Sequence, residues 1–383
     1  MQEQELKQVV AAVRSFIRKD VMPREAEIDE KDEVPEEIRA AAREMGLFGF
    51  AIPAEFGGLG LDVCEQCQLV FELGYTTPAL RSMFSTNNGI AGHVLLEGGT
   101  AEQQQEWLPG IASGEIIASF ALTEAEAGSS PAGLRTYARR DGSGWVINGA
   151  KRYITNAPLA RIFMVFARTQ DTGRAADDIK VFLVDRDTTP GLTVGPRDHK
   201  MGQFGTWTAD VYLDDARVPG SAVIGGESSS GYLTAMRSLS HGRVQIAAQC
   251  VGMAERLIDE SVAYAKSRVQ GGRPIATRQL IQAMIADSVT ETMAARSLVL
   301  DVARRYDDGS DRRAGPAAAK YFASETVGRV ADRAVQIHGG AGYMRESAVE
   351  RFYRDARLFR IYEGTSQIQQ LIIGRQALGV WAD

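Results

Sequence analysis

The sequence predicts an α+β fold that is mainly α-helical and has three parts: an N-terminal helical domain (1–115), a middle antiparallel β-barrel (116–225) and a C-terminal four-helix bundle (226–383). Two observations predict this arrangement. In the first and last parts, apolar residues recur every three or four positions, which is the period of an amphipathic helix. In the middle part this period gives way to short β-branched and aromatic runs separated by Gly, Asp, Asn and Pro, which is typical of strands joined by turns.

The N-terminal part begins with a predicted helix whose apolar face carries Val9, Val13 and Phe16. After the glycines of 57–60, a further helix is predicted over about 62–75. Another should begin at Thr100, because Gln103 stands three positions later and the two side chains can form a capping box.

The cysteines and histidines predict neither a disulfide nor a metal site. Cys64 and Cys67 match a redox motif or half of a zinc motif, but no second cysteine pair or nearby histidine accompanies them. We therefore expect two packed thiols one helical turn apart, and three cysteines in all fit a reducing compartment. The histidines are scattered, with none at metal-ligand spacing from another: His93, His199, His241 and His338.

Composition restricts the classes of partner. The 43 basic and 49 acidic residues give a net charge of −6, which does not favour nucleic acid. Residues 1–7 already contain charged side chains and do not form the apolar region of a signal peptide. No apolar run approaches the length of a transmembrane helix. We expect a cytoplasmic protein without membrane or nucleic-acid partners.

Strands are predicted at 145–148, 162–166 and 179–184, with a hairpin turn at 141–144. Because no helices intervene, a small antiparallel barrel or sandwich is favoured over a βαβ unit. The C-terminal part then returns to helix. One long apolar stripe is followed by predicted helices at 276–306, 313–336, 346–357 and 365–378, which together indicate a bundle.

The most informative segment is 361–369, in which Glu363 stands between Tyr362 and Gly364 and is followed by hydroxyl and amide side chains. An aromatic neighbour raises the pKa of a carboxylate by lowering the local polarity, and glycine lets a ligand approach the backbone. The pattern favours a general base. The alternative is a plain helix start capped by Thr365 or Ser366, and the two interpretations are compatible.

Five segments, in this order, resemble motifs of the acyl-CoA dehydrogenase family of flavoproteins. They are Thr123-Glu124 with Ala127-Gly128-Ser129, Tyr153 to Asn156, Arg243 to Ala248, Gln336 to Gly342, and Tyr362 to Gln369. The similarity extends over essentially the full chain. Taken alone, the loop of 120–130 could be a surface turn, and 336–343 a glycine stop between helices; five motifs in order are much more specific.

The resemblance implies an FAD-dependent acyl-CoA dehydrogenase of fatty acid metabolism. Glu363 matches the base that removes the pro-R α-proton of an acyl-CoA thioester, while the β-hydrogen leaves as hydride to flavin N5 and a trans-2-enoyl-CoA is formed. The Glu363 backbone N–H and a flavin hydroxyl would hold the thioester oxygen. An electron-transfer flavoprotein would accept the electrons. An acyl-CoA oxidase, an enoyl-CoA reductase and a non-catalytic acyl-CoA or flavin-binding protein are the alternatives.

The resemblance also implies binding residues. Those that match contacts to the flavin are Leu122, Thr123, Ser129, Tyr153, Thr155, Thr365 and Gln367. Those that match contacts to the FAD of a neighbouring subunit, in a homo-oligomer that is usually a dimer of dimers, are Arg268, Gln279, Gln336 and Gly340. Those expected near the substrate are Met83, Thr86, Ile90, Ser129, Arg243, Tyr362 and Gly364.

Two of these expected roles have a purely structural alternative. Met83, Thr86 and Ile90 are expected on one helix that forms the floor of the acyl pocket, where nothing charged would bind a dicarboxylate, and they predict a straight or lightly branched chain of short to medium length. They could equally be ordinary helix packing. Arg243 could support the active site or be a salt-bridged structural residue.

The chain departs from the family pattern in three places. Gly271 stands where a phenylalanine is expected near the adenine, so we expect altered packing at that end of FAD. Ala125 and Ser130 replace the usual Pro and Asp of the flavin loop, and Ser240 replaces a common acidic residue. Together these changes predict a divergent member with an unusual substrate.

Overall fold

The computed structural model describes residues 1–380 and is mainly helical, as predicted. The helices are α1 (Glu3–Phe16), α2 (Glu25–Lys31), α3 (Glu36–Glu44), α4 (Val63–Leu73), α5 (Pro78–Asn88), α6 (Ile90–Gly98), α7 (Ala101–Ser113), α8 (Ala175–Asp178), α9 (Gly231–Ser267), α10 (Gln279–Asp307), α11 (Ala314–His338), α12 (Ala348–Ala356) and α13 (Ser366–Leu378). The predicted helix starts have local causes. At α7, for example, Thr100 and Gln103 form the expected capping box, with each side chain bonded to the other's backbone N–H.

The strands lie mostly in the middle of the chain. They are β1 (Ala118–Ala121), β2 (Tyr137–Asp141), β3 (Gly144–Thr155), β4 (Ile162–Arg168), β5 (Ile179–Asp185), β6 (Leu192–Arg197), β7 (Thr208–Pro219), β8 (Val269–Gln270) and β9 (Arg273–Pro274). The predicted turn at 141–144 joins β2 to β3, which pair antiparallel, and the three predicted strands fall within β3, β4 and β5.

The prediction of an antiparallel β-barrel is wrong. Strands β1 to β7 form one curled half-barrel sheet in the order β1-β4-β2-β3-β7-β6, with β5 also paired to β4, and no described pairing joins β6 back to β1 or β5. The sheet is also mixed, because β4 runs parallel to both β1 and β2. The chain makes the β2–β3 hairpin before it returns to β1, so β4 arrives in the same direction as β1. Helices α5 and α6 pack against β1.

The C-terminal helices form the predicted bundle. Helices α9, α10 and α11 pack against one another and α13 packs on α11, while α4 of the N-terminal part packs on both α9 and α10. Cys64 and Cys67 both lie on α4 as free thiols. No helix within residues 1–380 is long and apolar enough to cross a membrane. In the same part of the chain, no group of three or more His, Cys, Asp and Glu is placed to hold a metal ion.

The position of the missing phenylalanine forms a tight hairpin. Gly271 and Gly272 join β8 to β9, and both have a positive φ, of 60° and 78°. A two-residue turn with two positive φ angles favours glycine at both positions, because a side chain there is strained. A Cβ on Gly271 would also lie 2.9 Å from the Arg278 guanidinium. The substitution thus has a local structural cause.

Candidate active site

Glu363 lies in the short loop that leads into α13. Thr365 is the N-cap of this helix, since its hydroxyl accepts a hydrogen bond from the backbone N–H of Ile368 at 3.3 Å. The helix-start interpretation of the motif is therefore correct. Glu363 itself has φ of 51° and Gly364 has φ of 91°. A left-handed conformation costs a non-glycine residue about 1–2 kcal/mol, so surrounding contacts must hold it.

The Glu363 carboxylate is placed against the middle of α9. Its Oε2 is buried and has no hydrogen-bond partner among the described residues. A Cβ added to Gly242 would overlap Oε2 and would lie 3.2 Å from the Glu363 Cδ. The same point is 3.1 Å from Cγ2 of Ile90. The absence of a side chain at Gly242 thus leaves the space that the carboxylate occupies.

The environment of Glu363 makes it a stronger proton acceptor than an ordinary carboxylate. Burial raises the pKa of its carboxyl above the ordinary value, and three cations oppose that rise: Arg81, Lys320 and Arg243. The direction agrees with the sequence-based expectation. A raised pKa makes the carboxylate a stronger proton acceptor, while an unsatisfied oxygen is free to reach a substrate.

Three side chains from three helices bind the backbone around Glu363. Arg243 of α9 donates from Nε to the Glu363 carbonyl at 3.3 Å. Gln369 of α13 donates from Nε2 to the carbonyls of Glu363 at 3.1 Å and Gly364 at 2.9 Å. Lys320 of α11 donates to the Gly364 carbonyl at 2.8 Å. Arg243 therefore supports the loop and does not pair with the carboxylate. The contributions of Lys320 and Gln369 were not predicted from the sequence.

Arg81 of α5 is a third residue near the base that was not predicted from the sequence. Its guanidinium is buried and donates to the side-chain oxygens of Gln249 at 2.9 Å and Gln245 at 2.7 Å, both on α9. It forms no ion pair with any described carboxylate, and its Nε is buried without a partner, as is Nε2 of Gln249. Among the charged groups, Glu363 has the largest effect on the pKa of the Arg81 guanidinium. A buried cation therefore lies beside the base with unused donors.

The predicted flavin loop is anchored by its acidic residue. The Glu124 carboxylate accepts hydrogen bonds from the backbone N–H groups of Arg135 at 2.6 Å and Thr136 at 2.9 Å. The buried Lys151 ammonium lies 2.7 Å from the same carboxylate. Burial lowers the pKa of Lys151 to about 8, against the opposing effect of Glu124. Together these contacts fix the loop of 120–130 on the sheet, with the Thr123 carbonyl accepting from the Arg152 N–H at 2.8 Å.

The residues expected to contact the flavin ring differ in exposure. Tyr153 is 59% exposed and has a left-handed backbone, with φ of 57°. Thr123 and Thr155 are half-buried, Leu122 is buried, and Ser129 is exposed in the same loop. A large exposed aromatic ring held on a left-handed backbone offers a face on which a flat ligand such as a flavin can stack. Gln367 is exposed in the first turn of α13.

The residues expected on the acyl floor do not share one helix. Gly89, with φ of −99° and ψ of −111°, separates α5, which carries Met83 and Thr86, from α6, which begins at Ile90. Met83 and Thr86 are buried, and the Thr86 hydroxyl accepts a hydrogen bond from the Asn156 amide at 3.0 Å. Ile90 approaches the space beside the base. Tyr362 and Gly364 lie next to Glu363 in the loop.

The residues expected at a neighbouring subunit's FAD lie away from Glu363. Between Arg243 beside the base and Arg268 just past its end, α9 rises about 37 Å. The far ends of α9 and α11 are adjacent, since the Tyr264 and His338 rings stack with centroids 4.2 Å apart. Gln336 lies near this end of α11 and Gly340 follows it, while Gln279 begins α10. The structure therefore separates this set from the base.

The space at Gly242 gives a testable expectation. We expect Gly242→Ala to displace the Glu363 carboxylate and to slow flavin reduction by acyl-CoA about 100-fold, as small misplacements of reacting groups do. Because alanine favours a helix interior, the protein should not lose stability. Stopped-flow absorbance and a thermal melt would measure the two effects. An unchanged reduction rate would show that the carboxylate does not need this space.

Family models of the acyl-CoA dehydrogenase N-terminal, middle and C-terminal domains match residues 3–115, 119–216 and 229–378. The three matches lie in order and cover most of the chain. Together with the helix–sheet–helix fold, they define a class of FAD-dependent oxidoreductases. The chain belongs to the acyl-CoA dehydrogenase family, which confirms the resemblance seen in the sequence.

Individual relatives match over nearly their whole lengths. The probable acyl-CoA dehydrogenase FadE25 of Mycobacterium tuberculosis (strain ATCC 25618 / H37Rv) is 40% identical, with 96% of this chain and 94% of the relative covered. The caffeyl-CoA reductase-Etf complex subunit CarC of Acetobacterium woodii is 39% identical, with 92% of each covered.

Two solved structures illustrate the similarity in fold. Butyryl-CoA dehydrogenase from Megasphaera elsdenii has a TM-score of 0.93 at 32% identity, covering 97% of this chain and 98% of that one. Glutaryl-CoA dehydrogenase from Mycobacterium smegmatis in complex with FADH2 has a TM-score of 0.92 at 29% identity, with 99% and 96% covered.

Proposed function

We propose that the protein catalyses FAD-dependent α,β-dehydrogenation of an acyl-CoA thioester to the trans-2-enoyl-CoA, with Glu363 as the base. The observation that carries the proposal is the buried Oε2 of Glu363, which has no hydrogen-bond partner among the described residues, on a carboxyl whose pKa is raised by burial. When bound, FAD supplies the oxidation by accepting the β-hydrogen as hydride at flavin N5. The α-proton passes to Glu363, so the acyl group loses two hydrogens in total.

The loop around Glu363 has two tasks in this proposal. Its carboxylate removes the α-proton, and its backbone N–H donates to the thioester oxygen, where negative charge develops as the proton leaves. Arg243, Lys320 and Gln369 keep the two groups in a fixed relation by holding the neighbouring carbonyls. Positioning of this kind lowers the barrier because the reacting groups need not be ordered at each turnover.

The proposal places FAD between the middle sheet and α13. The residues of this chain that would hold it are Leu122, Thr123, Ser129, Tyr153, Thr155, Thr365 and Gln367. The set formed by Arg268, Gln279, Gln336 and Gly340 would reach the FAD of a neighbouring subunit in a dimer of dimers. Large apolar side chains that stay exposed near this set support an interface, namely Leu280, 80% exposed, and Tyr343, 78% exposed. A cytoplasmic location stays a prediction from the sequence.

An electron-transfer flavoprotein is the proposed electron acceptor. The A. woodii relative is named as part of a reductase-Etf complex, which supports such a partner and also keeps the enoyl-reducing direction as an alternative. Acyl-CoA oxidase activity is the other alternative, because it would use the same base. Dehydrogenase, reductase and oxidase activities differ in which compound reduces the flavin and which compound reoxidises it. In all three, Glu363 would have the same role.

An anaerobic titration tests the proposed function. The purified protein should be yellow, and a saturated acyl-CoA should bleach its visible flavin absorption while the enoyl-CoA accumulates. Bleaching that persists until an electron-transfer flavoprotein is added, and that air does not quickly reverse, would distinguish a dehydrogenase from an oxidase. A yellow protein that no saturated acyl-CoA bleaches, but whose reduced form an enoyl-CoA reoxidises, would contradict the direction proposed.

Arg81 favours a second candidate for the substrate, an acyl group that ends in a carboxylate. A buried guanidinium without an ion pair is costly, and a substrate carboxylate would offset that cost. The free donors at Arg81 Nε and Gln249 Nε2 suit its oxygens. The M. smegmatis neighbour is a glutaryl-CoA dehydrogenase, which supports such a substrate here. The first candidate is the straight or lightly branched acyl chain that the sequence predicts.

Arg81→Met separates the two candidates. With glutaryl-CoA we expect kcat/KM to fall about 100-fold or more, because the substrate carboxylate would be left buried and unpaired. With butyryl-CoA, which has no carboxylate at that end, the loss should be much smaller. Steady-state rates with both thioesters, before and after the substitution, give the comparison. A wild-type protein that reduces its flavin with butyryl-CoA but not with glutaryl-CoA would exclude the second candidate.

A further inference from the structure

Lys320 is a buried lysine with an unusual partner. Its side chain is 0% exposed on α11, and its ammonium donates at 2.8 Å to the Gly364 carbonyl, the residue directly after the proposed base. It forms no ion pair with any carboxylate in the described part of the chain. A buried charge without an ion pair is costly, and a short apolar side chain would pack in a helix core without that cost. What the buried ammonium provides at this position, and an apolar side chain could not, is the hydrogen bond to the loop that carries Glu363.

The carbonyl that Lys320 binds belongs to a strained segment. Glu363 and Gly364 both have positive φ, of 51° and 91°. Gln369 binds both of their carbonyls and Arg243 binds the first, so Lys320 and Gln369 share the second. Lys320 is the donor that ties this segment to α11, whereas Arg243 ties it to α9 and Gln369 to α13. Removal of one of the three leaves the segment fixed on only two sides.

From these contacts we infer that Lys320 is a positioning residue for Glu363. It fixes the backbone that carries the base and, through its positive charge, favours the ionised form of the carboxylate that the reaction requires. The inference rests on the proposed function, since it assigns a role to Lys320 through Glu363. Lys320 does not itself accept or donate the substrate proton.

The titratable and charged groups that surround Lys320 bear on its pH behaviour. Cys250 and Arg243 face it from α9, Glu363 from the loop before α13, and Glu325 from its own helix. Burial lowers the pKa of Lys320 to about 8, against the opposing effect of the Glu363 carboxylate. Its charge is thus present below about pH 8 and is lost above it. Conversely, Lys320 is one of the cations that lower the pKa of Glu363.

Lys320→Met tests the inference through the pH profile of flavin reduction. Removing the cation should raise the pKa of Glu363, so the acid limb of the profile should move to higher pH. The rate at the optimum should fall about 10- to 100-fold as the loop loses one support. Lys320→Gln retains an N–H donor without the charge, so it should restore part of the rate but not the position of the acid limb.

Lys180→Met is the matched control. The Lys180 ammonium also donates to a backbone carbonyl, that of Ser229 at 3.1 Å, but lies on β5, with no contact to the loop of Glu363. This variant should keep the wild-type pH profile. If the rate of Lys320→Met falls but the acid limb does not move, Lys320 has only a structural role and the inference is overturned. An unchanged rate would also overturn it.

Infrared difference spectroscopy against pH keeps the test independent of turnover and of the substrate. The signal of the protonated Glu363 carboxyl is assigned by its loss in Glu363→Gln, and its midpoint should lie at higher pH in Lys320→Met than in wild type. If no acyl-CoA reduces the flavin, the proposed function fails while this midpoint still decides the role of Lys320. If Lys320→Met does not fold, Lys320→Gln supplies the same comparison. An identical midpoint of the Glu363 titration in wild type and variant refutes the inference.

Discussion

Glu363→Gln should abolish reduction of the bound flavin by acyl-CoA, lowering its rate by about 10⁴-fold. The amide cannot accept the α-proton, yet it has nearly the shape of the carboxylate. Because Oε2 of Glu363 has no hydrogen-bond partner, the substitution breaks no described contact of that atom. The backbone contacts from Arg243, Lys320 and Gln369 are unaffected, so FAD and acyl-CoA should still bind.

Anaerobic stopped-flow absorbance measures this rate, and a spectral shift on addition of acyl-CoA reports binding. Glu291→Gln is a suitable control, since this carboxylate pairs with Arg329 and Arg333 on the surface of the C-terminal bundle. The control should reduce its flavin at the wild-type rate. A Glu363→Gln protein that is reduced almost as fast as wild type would mean that another group is the base.

Lys151→Met should have the largest effect on stability, about 3–5 kcal/mol. Lys151 is fully buried and its ammonium lies 2.7 Å from Glu124, so its removal leaves a buried carboxylate without a counter-charge. Glu124 would keep its bonds from the backbone of 135–136, but these do not replace the charge. Because Glu124 anchors the loop of 120–130, we also expect weaker retention of FAD.

Thermal denaturation and the flavin content of the purified protein give the two readouts. The double variant Lys151→Met with Glu124→Gln should recover part of the lost stability, since it removes both members of the pair. If the single variant melts within a degree or two of wild type, the pair is not the anchor that its burial implies.

The local patterns of the sequence predicted much of the fold. The capping box of Thr100 and Gln103, the hairpin turn at 141–144 and the long helices all depend on residues close together in the chain. Closure of the sheet depends instead on which distant strands pair. The absence of helices between the predicted strands favoured an antiparallel barrel, but it could not show that β4 would return parallel to β1 or that the sheet would stay open.

The candidate site divides in the same way. Glu363 was predictable because its aromatic and glycine neighbours are adjacent in sequence. Gly242, Arg81 and Lys320 were missed because they approach the base only in the folded chain. Two of them carried a signal that could have been used: Lys320 follows three consecutive alanines, and Arg81 lies between Leu80 and Met83. A lone charge at a core position of an apolar helix is a reason to look for its partner.

The most direct test of the central claim is exchange of the substrate α-protons in D2O. An acyl-CoA with sulfur in place of its β-carbon has no β-hydrogen to lose, so it isolates proton removal from oxidation. We predict that the wild-type protein exchanges its α-protons, followed by NMR, and that Glu363→Gln does not. Equal exchange by both proteins would contradict the assignment of Glu363 as the base.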